Sequence, residues 1–331
     1  MNKAEWVALS ILPGVGGVTF RRLLAHFGSV TGILAASEAE LRAVNGVGEK
    51  TASAIHHASS EASRSLLSAL SAEGIYPLIW DDAGFPQNLI ATPDAPSALF
   101  VKGDLSPADD LAVAIVGRRA ASPGALHAAA HVAGALARRG ITVVSGLAIG
   151  VDSAAHLGAL DAGGRTLAVL GSGIRSVHPL RNRALAERLT TRGALLSELH
   201  PDAGPTPTQL VARDRIISGL SCLTIVVESG EIGGSMRTAE FARRQGRVLA
   251  AMPGSPGTDM LIAGGAEPVR PNETNWDVFA NRVATIVIPP LLASEPARRQ
   301  DRLLESEALY PETTQVEQDT CYIRNIASPK L

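Results

Sequence analysis

Residues 141–173 read "ITVVSGLAIGVDSAAHLGALDAGGRTLAVLGSG". ITVVSG is a continuous apolar run closed by a glycine, which predicts a strand buried on both faces. DSAAHLGALDAGG is rich in Ala and Leu and stops at a glycine pair, which predicts a helix with Asp152 as its N-cap. TLAVLGSG predicts a second buried strand. Strand, helix and strand in so few residues form a βαβ unit, and a βαβ unit requires parallel strands.

The same grammar continues on both sides. LAVAIVG (111–117), ALLSE (194–198), CLTIVVES (222–229) and RVLAAMPG (247–254) read as further buried strands. ALHAAAHVAGALARRG (125–140), RNRALAERLTTRG (181–193) and SMRTAEFARRQG (235–246) read as the helices between them. This alternation predicts an α/β domain over 111–285: an open, mainly parallel sheet with helices on both faces. Ligands of such sheets sit beyond the carboxyl ends of the strands. The loops there, VGRRAAS, SGLAIGVD, LGSGIRSVHP and VESGEIGGS, all carry glycine.

Upstream, residues 1–75 are helical and contain a repeat. LPGVGGVTFRRLL is echoed by VNGVGEKTASAIH, each with G-V-G ahead of a helix. The pair resembles tandem helix-hairpin-helix motifs, in which free amides at the second helix can hold a phosphate. Gly14, Gly16, Gly46 and Gly48 would be the contacts. Residues 76–110 are punctuated by prolines and read as a connecting segment with one short strand, ALFVKGD. A further helix and strand are expected in NETNWDVFANRVATIVIPPLL (272–292), and 286–331 reads as a loosely ordered polar tail.

Composition narrows the function. Of 331 residues, 46% are hydrophobic and only 4% aromatic, so the chain is globular and poor in stacking surface. Net charge is −2, yet residues 111–250 hold sixteen arginines, no lysine and nine acidic residues. A basic middle on an acidic chain points to an anionic ligand there or to solvated helix faces. No stretch is long and apolar enough to span a membrane, and nothing at the start reads as a signal peptide, so a cytoplasmic location is expected. Two cysteines far apart define neither a disulfide framework nor a metal spacing, and Cys222 reads as core. His127 and His131 lack the acidic partner of a zinc helix, so no metal is expected. VGRRAASPG is not a dinucleotide fingerprint, and no cofactor is expected. Ser145, Asp152 and His156 lie close in sequence without a nucleophile elbow, so no catalytic residues are assigned.

What remains is an arginine and glycine rim. Arg118, Arg119, Arg175, Arg213, Arg215 and Arg237 stand beside strand-end glycines, where guanidinium forks and amides can cradle phosphate. "ARDRIISGLS" (212–221) sharpens the question, because Arg213 and Arg215 straddle Asp214 at the edge of a core element. An arginine is costly to bury unpaired. Either nearby carboxylates neutralise the two cations or an external anion does.

These stretches, with GALLSE, RDRIISGLS, VVES and GGSMRTAEFARRQGRVLAAMPGS, resemble the DNA-processing protein A (DprA/Smf) family over roughly residues 5–270. The resemblance implies a Rossmann-like sheet preceded by a small all-α helix-hairpin-helix (SAM-like) domain. It implies a non-catalytic homodimer that binds single-stranded DNA and helps load the RecA recombinase during natural transformation, protecting the incoming strand. The family's G-S-R loop falls on Gly117, Arg118 and Arg119, and its R-N-R loop on Arg213, Asp214 and Arg215. Gly146, Gly171 and Gly173 would supply amides, with Arg175 and Arg237 further out. Charge reversal of Arg213 is then expected to abolish binding without unfolding. This sequence departs from the family pattern at Arg118, Asp214, His178 and 209–211, and Phe241 is the only aromatic within 111–250. Stacking on aromatics normally adds ~1–3 kcal/mol per base. Two other readings share the rim. One is a nucleotide-binding or nucleoside-monophosphate phosphoribohydrolase-like protein, for which GGSMRTAE keeps Gly233, Gly234 and Glu240 of a longer motif. The other is a scaffold that meets an acidic partner.

Overall fold

The computed structural model describes residues 2–286. The polar tail expected beyond 286, and the strand expected near its start, lie outside the described residues. Nine strands form one sheet: β1 (Ile75–Ile79), β2 (Ala98–Gly103), β3 (Ala112–Val116), β4 (Thr142–Ser145), β5 (Thr166–Val169), β6 (Gly193–Ser197), β7 (Leu223–Val226), β8 (Val248–Ala251) and β9 (Glu267–Pro268). Their order is β1-β2-β6-β5-β4-β3-β7-β8-β9. β3 to β9 are mutually parallel, and β1 and β2 are antiparallel to their neighbours.

The chain builds outward from β3 to β6, then returns to β3 and builds β7 to β9 on its other side. The order therefore reverses between β3 and β7, where open α/β sheets present their ligand crevice. Side chains alternate across each buried strand. Val113 and Ile115 face one layer, built on the helices Pro123–Ala137 and Val151–Asp161. Ala112, Ala114 and Val116 face the other, which includes Ile216, Ala239 and Leu261 of the later helices. The two helices of the first layer touch closely: a Cβ on Gly158 would meet the Ala130 carbonyl oxygen at 2.2 Å.

The proline-punctuated segment is more than a connector with one strand. It contributes β1 and β2, which extend the sheet through antiparallel pairing with β6. Pro77 lies in β1, an edge strand, where its missing N–H costs no ladder bond.

The helical module packs on this extension. Trp6, Phe20 and Trp80 form an aromatic cluster with ring centroids 4.7–5.9 Å apart. The Trp6 indole donates to Ser97 O and the Trp80 indole to Pro96 O, both at 2.7 Å. Arg21, only 3% exposed, donates to Pro93 O at 2.7 Å and stacks 5.1 Å from the Trp80 ring. Fully burying each large side chain of this kind contributes about 1.5–3 kcal/mol, so the module and the sheet share one core.

Only the first glycine of each G-V-G repeat needs positive φ (Gly14 +82°, Gly46 +84°); Gly16 and Gly48 are extended N-caps. The two hairpins differ in surroundings. A Cβ on Gly17, the first helical residue of the first hairpin, would meet Ala95 O at 1.9 Å, so that helix start is packed against the protein's own backbone. In the second hairpin the same place is Glu49.

Candidate nucleic-acid interface

The loops after β3, β4, β5, β6, β7 and β8 all leave the same edge of the sheet. The loop after β4 is held from inside. Its helix begins at Gly150, which is the N-cap with φ +85°, so Asp152 is not the cap that the sequence suggests. Asp152 is the second helical residue, and its carboxylate accepts from the amides of Gly146 (3.1 Å) and Ala148 (3.3 Å). Leu147 between them is fully buried at φ +57°, a strained value for leucine. Asn182 secures it by donating to Leu147 O at 2.7 Å.

This loop presses on the one after β3. A Cβ on Gly150 would meet the carbonyl oxygens of Arg118 and Arg119 at 2.4 Å, and one on Gly117 would meet Val151 at 2.6 Å. The Val151 amide donates to Arg118 O. The backbone under Arg118 and Arg119 is thus pinned while both side chains stand exposed. Arg118 lies 3.8 Å from Glu228 with its side chain 51% exposed, a pairing that contributes little. Arg119 has no hydrogen-bond or ion-pair partner among the described residues.

Arg213 has the opposite setting. It is 6% exposed and donates to Gly146 O (2.6 Å), Val169 O (2.5 Å) and Asp214 Oδ1 (3.2 Å). It ties the ends of β4 and β5 together from beneath. Burial raises the Asp214 carboxyl to about 7; Arg213 pulls against that rise and the Asp152 charge adds to it. Burial also raises Asp152, opposed by Arg213. Carboxylates of the chain itself, Asp214 beside Arg213 and Asp152 nearby, neutralise this arginine. The expectation that Arg213 meets phosphate and tolerates charge reversal is corrected by its burial: a carboxylate there would face two carbonyls and two other carboxylates.

Arg215 is also turned inward. Its guanidinium pairs with Glu198 and lies 3.8 Å from Asp94 Oδ2. Arg175 holds Glu73 through two bonds (3.0 and 2.6 Å) and Asp202 at 3.2 Å, fastening the helical module to the loop after β6. The glycines expected to offer amides serve packing instead. The Gly146 amide is taken by Asp152, and that of Gly173 by Ala203 O at 2.8 Å. A Cβ on Gly171 would meet the Leu210 backbone at 2.7 Å. Arg237 is half-buried on the helix Gly234–Arg244 that follows β7.

The residues singled out for hydrolase or ribohydrolase chemistry have other partners. Ser145 donates to Ile115 O, away from His156. Thr166 gives its proton to Val143 O, so its hydroxyl accepts at 2.7 Å from His156 Nδ1–H, and Nε2 has no partner among the described residues. Burial, then the Arg213 charge, lowers His156 to about 3. Glu240 is exposed and pairs with Arg244 one turn along its helix.

The sequence reading overlooked four rim residues. Leu180 and Ile232 are 78% and 70% exposed, on the loops after β5 and β7. Arg181 and Arg183 are exposed beside Leu180. The signal was present in HPLRNR and GEIGG, where a large apolar residue sits in a polar strand-end loop.

The family model "DNA recombination-mediator protein A" matches residues 77–279, and a SAM-like tandem helix-hairpin-helix model matches 8–58. Protein Smf of Escherichia coli is 42% identical over 193 residues, covering 56% of this chain and 52% of that protein; the chain spans about half the length of that relative. The X-ray structure of DNA processing protein A from Streptococcus pneumoniae superposes with a TM-score of 0.71 at 28% identity, covering 84% of this chain and 96% of that one. DNA processing protein A from Helicobacter pylori, whose structure is described in terms of single-stranded DNA binding, gives a TM-score of 0.56 at 28% identity, covering 63% and 95%. Among the described residues no helix is long and apolar enough to cross a membrane.

Proposed function

The chain belongs to the DNA recombination-mediator protein A family, and on that premise we propose that it binds single-stranded DNA along the carboxyl edge of its sheet. It acts without catalysis, as a cytoplasmic homodimer that shields an incoming strand and helps load RecA during natural transformation. The observation that carries the reading is the Arg118–Arg119 loop: two exposed cations on a pinned backbone at the switch point, Arg119 held by no hydrogen bond among the described residues and acting on Asp214 only through its charge. Arg181 and Arg183 extend the charge across the loop after β5, and Leu180 and Ile232 supply apolar contact for bases. Arg213, Arg215 and the glycines shape this edge from below.

The test is fluorescence anisotropy of a labelled oligo-dT, against the matching duplex, across a salt series. The expected result is a preference for the single strand and a log–log slope of about −0.7 per phosphate neutralised. Arg119→Glu should weaken binding at least tenfold while the melting temperature holds. Undiminished binding by that variant at moderate salt would move the interface elsewhere.

A further inference from the structure

The rim contains an acidic group at its centre. Glu228 follows β7 at the switch point, and its side chain is 15% exposed. Its Oε2 accepts from the Ser122 hydroxyl (2.5 Å) and amide (3.2 Å). Its Oε1 receives only the long arm of that amide (3.4 Å), with Arg118 Nη1 3.8 Å away. The carboxylate is thus gripped through one oxygen and keeps acceptor capacity at the other.

This carboxylate lines a cavity of about 400 Å³ between the start of helix Pro123–Ala137 and the ends of β7 and β8. The volume is typical of small-ligand sites. Ala125, Ala128, Val227 and Met252 give it apolar walls, and Arg270 lies on the lining past β9. An anion does not suit it: Ser122 already caps the helix start, and Glu228 would repel a phosphate. A flat group that presents N–H donors to the carboxylate and a face to the apolar side chains does suit it, and Asn272 and Glu273 also line the cavity.

Among the nucleobases, guanine alone offers two adjacent donors, N1–H and N2–H₂. Adenine and cytosine set a ring acceptor beside the amino group, and thymine flanks its single N–H with two carbonyls. We propose that this cavity is a base pocket for guanine. Glu228 Oε1 accepts both N1–H and N2–H₂, two donors converging on the one oxygen that Ser122 leaves largely open, and the neighbouring phosphates of the same strand lie on Arg118 and Arg119. The inference rests on the single-strand reading above and adds a sequence preference to it.

The test compares oligo-dT with the same strand carrying one central dG, by anisotropy at fixed salt, with guanosine monophosphate as competitor. Two donors held by one carboxylate oxygen give roughly tenfold discrimination, so the dG strand should bind about tenfold tighter. Guanosine monophosphate should bring it down to the oligo-dT level, whereas adenosine monophosphate should not. Glu228→Gln replaces one acceptor by a donor and should erase the preference. Ala128→Leu fills the cavity without touching the carboxylate and should erase it too. Equal binding of both strands, with oligo-dT still bound tightly, would overturn the pocket and leave the rim standing. If neither strand binds, the single-strand reading fails. Guanosine monophosphate retained by the protein and lost in Glu228→Gln would then place the pocket on free nucleotides, and its absence would remove the pocket as well.

Discussion

Arg118 and Arg119 leave the carboxyl end of β3; Arg213 and Arg215 lie beneath the same edge, at the entry to the helix Asp214–Gly219. In sequence both pairs are cations beside loops and strands. In the structure the first pair is exposed and the second is enclosed, with Asp152, Asp214, Glu198 and Asp94 around it. Whether an arginine faces outward depends on whether the chain brings carboxylates to it, and here Asp214 lies between the pair while Asp152, Glu198 and Asp94 come from other loops. On the proposed reading the outer pair meets the strand, while the inner pair holds the edge.

Substitution within the inner pair should break this division most visibly. Arg213→Ala leaves two buried carboxyls without their cation and frees the carbonyls of Gly146 and Val169. Removing one partner of a buried pair costs about 3–5 kcal/mol, and urea unfolding should show a loss of that size. Arg119→Ala should leave the unfolding midpoint in place, weaken single-strand binding severalfold and flatten the salt slope by about 0.7. A stable Arg213→Ala with lost DNA binding would reverse the roles assigned to the two pairs.

The buried acids sharpen the same comparison through pH. Asp214 titrates near 7 in the folded chain against 3.8 ordinarily, so the folded state binds the extra proton and stability falls as pH rises between those values. His156 works the other way: its folded value of about 3 lies below 6.5, so its contribution is present above 6.5 and lost as pH falls. The two trends overlap, and only a difference between variants isolates one. Relative to wild type, Asp214→Asn should gain about 1–3 kcal/mol as the pH goes from about 5 to about 8. A pH-independent difference would mean that Arg213 keeps Asp214 ionised throughout.

The alternation of apolar runs and helices made the parallel sheet legible, because strands buried on both faces leave no other pattern. β2 was legible as ALFVKGD, and β1 was harder to read. Pro77 falls inside β1, an edge strand where proline is harmless, although proline more often breaks a strand. The rim was legible as charge and not as geometry. Arg175 looks free until Glu73 arrives from the helical module, and Arg215 until Asp94 arrives from the turn before β2. Leu180 and Ile232 carry no aromatic ring, and their exposure is set by the fold and not by the sequence.

The two hairpins of the helical module repeat the comparison on a smaller scale. The first has its helix start buried against Ala95, and the second presents Glu49 at the first helical position. A carboxylate there complements the helix dipole and opposes an incoming phosphate by charge. On the proposed reading the sheet's rim holds the strand without contact through Gly14, Gly16, Gly46 and Gly48. Glu49→Gln removes the competing charge and leaves the backbone alone. Binding of oligo-dT and of duplex should stay within about twofold of wild type, since one exposed charge at a helix end contributes only about 0.3–1 kcal/mol even where it acts. A gain in duplex affinity well beyond that, with single-strand binding unchanged, would show that the second hairpin approaches the phosphate backbone after all and that the molecule has two nucleic-acid surfaces of different kinds.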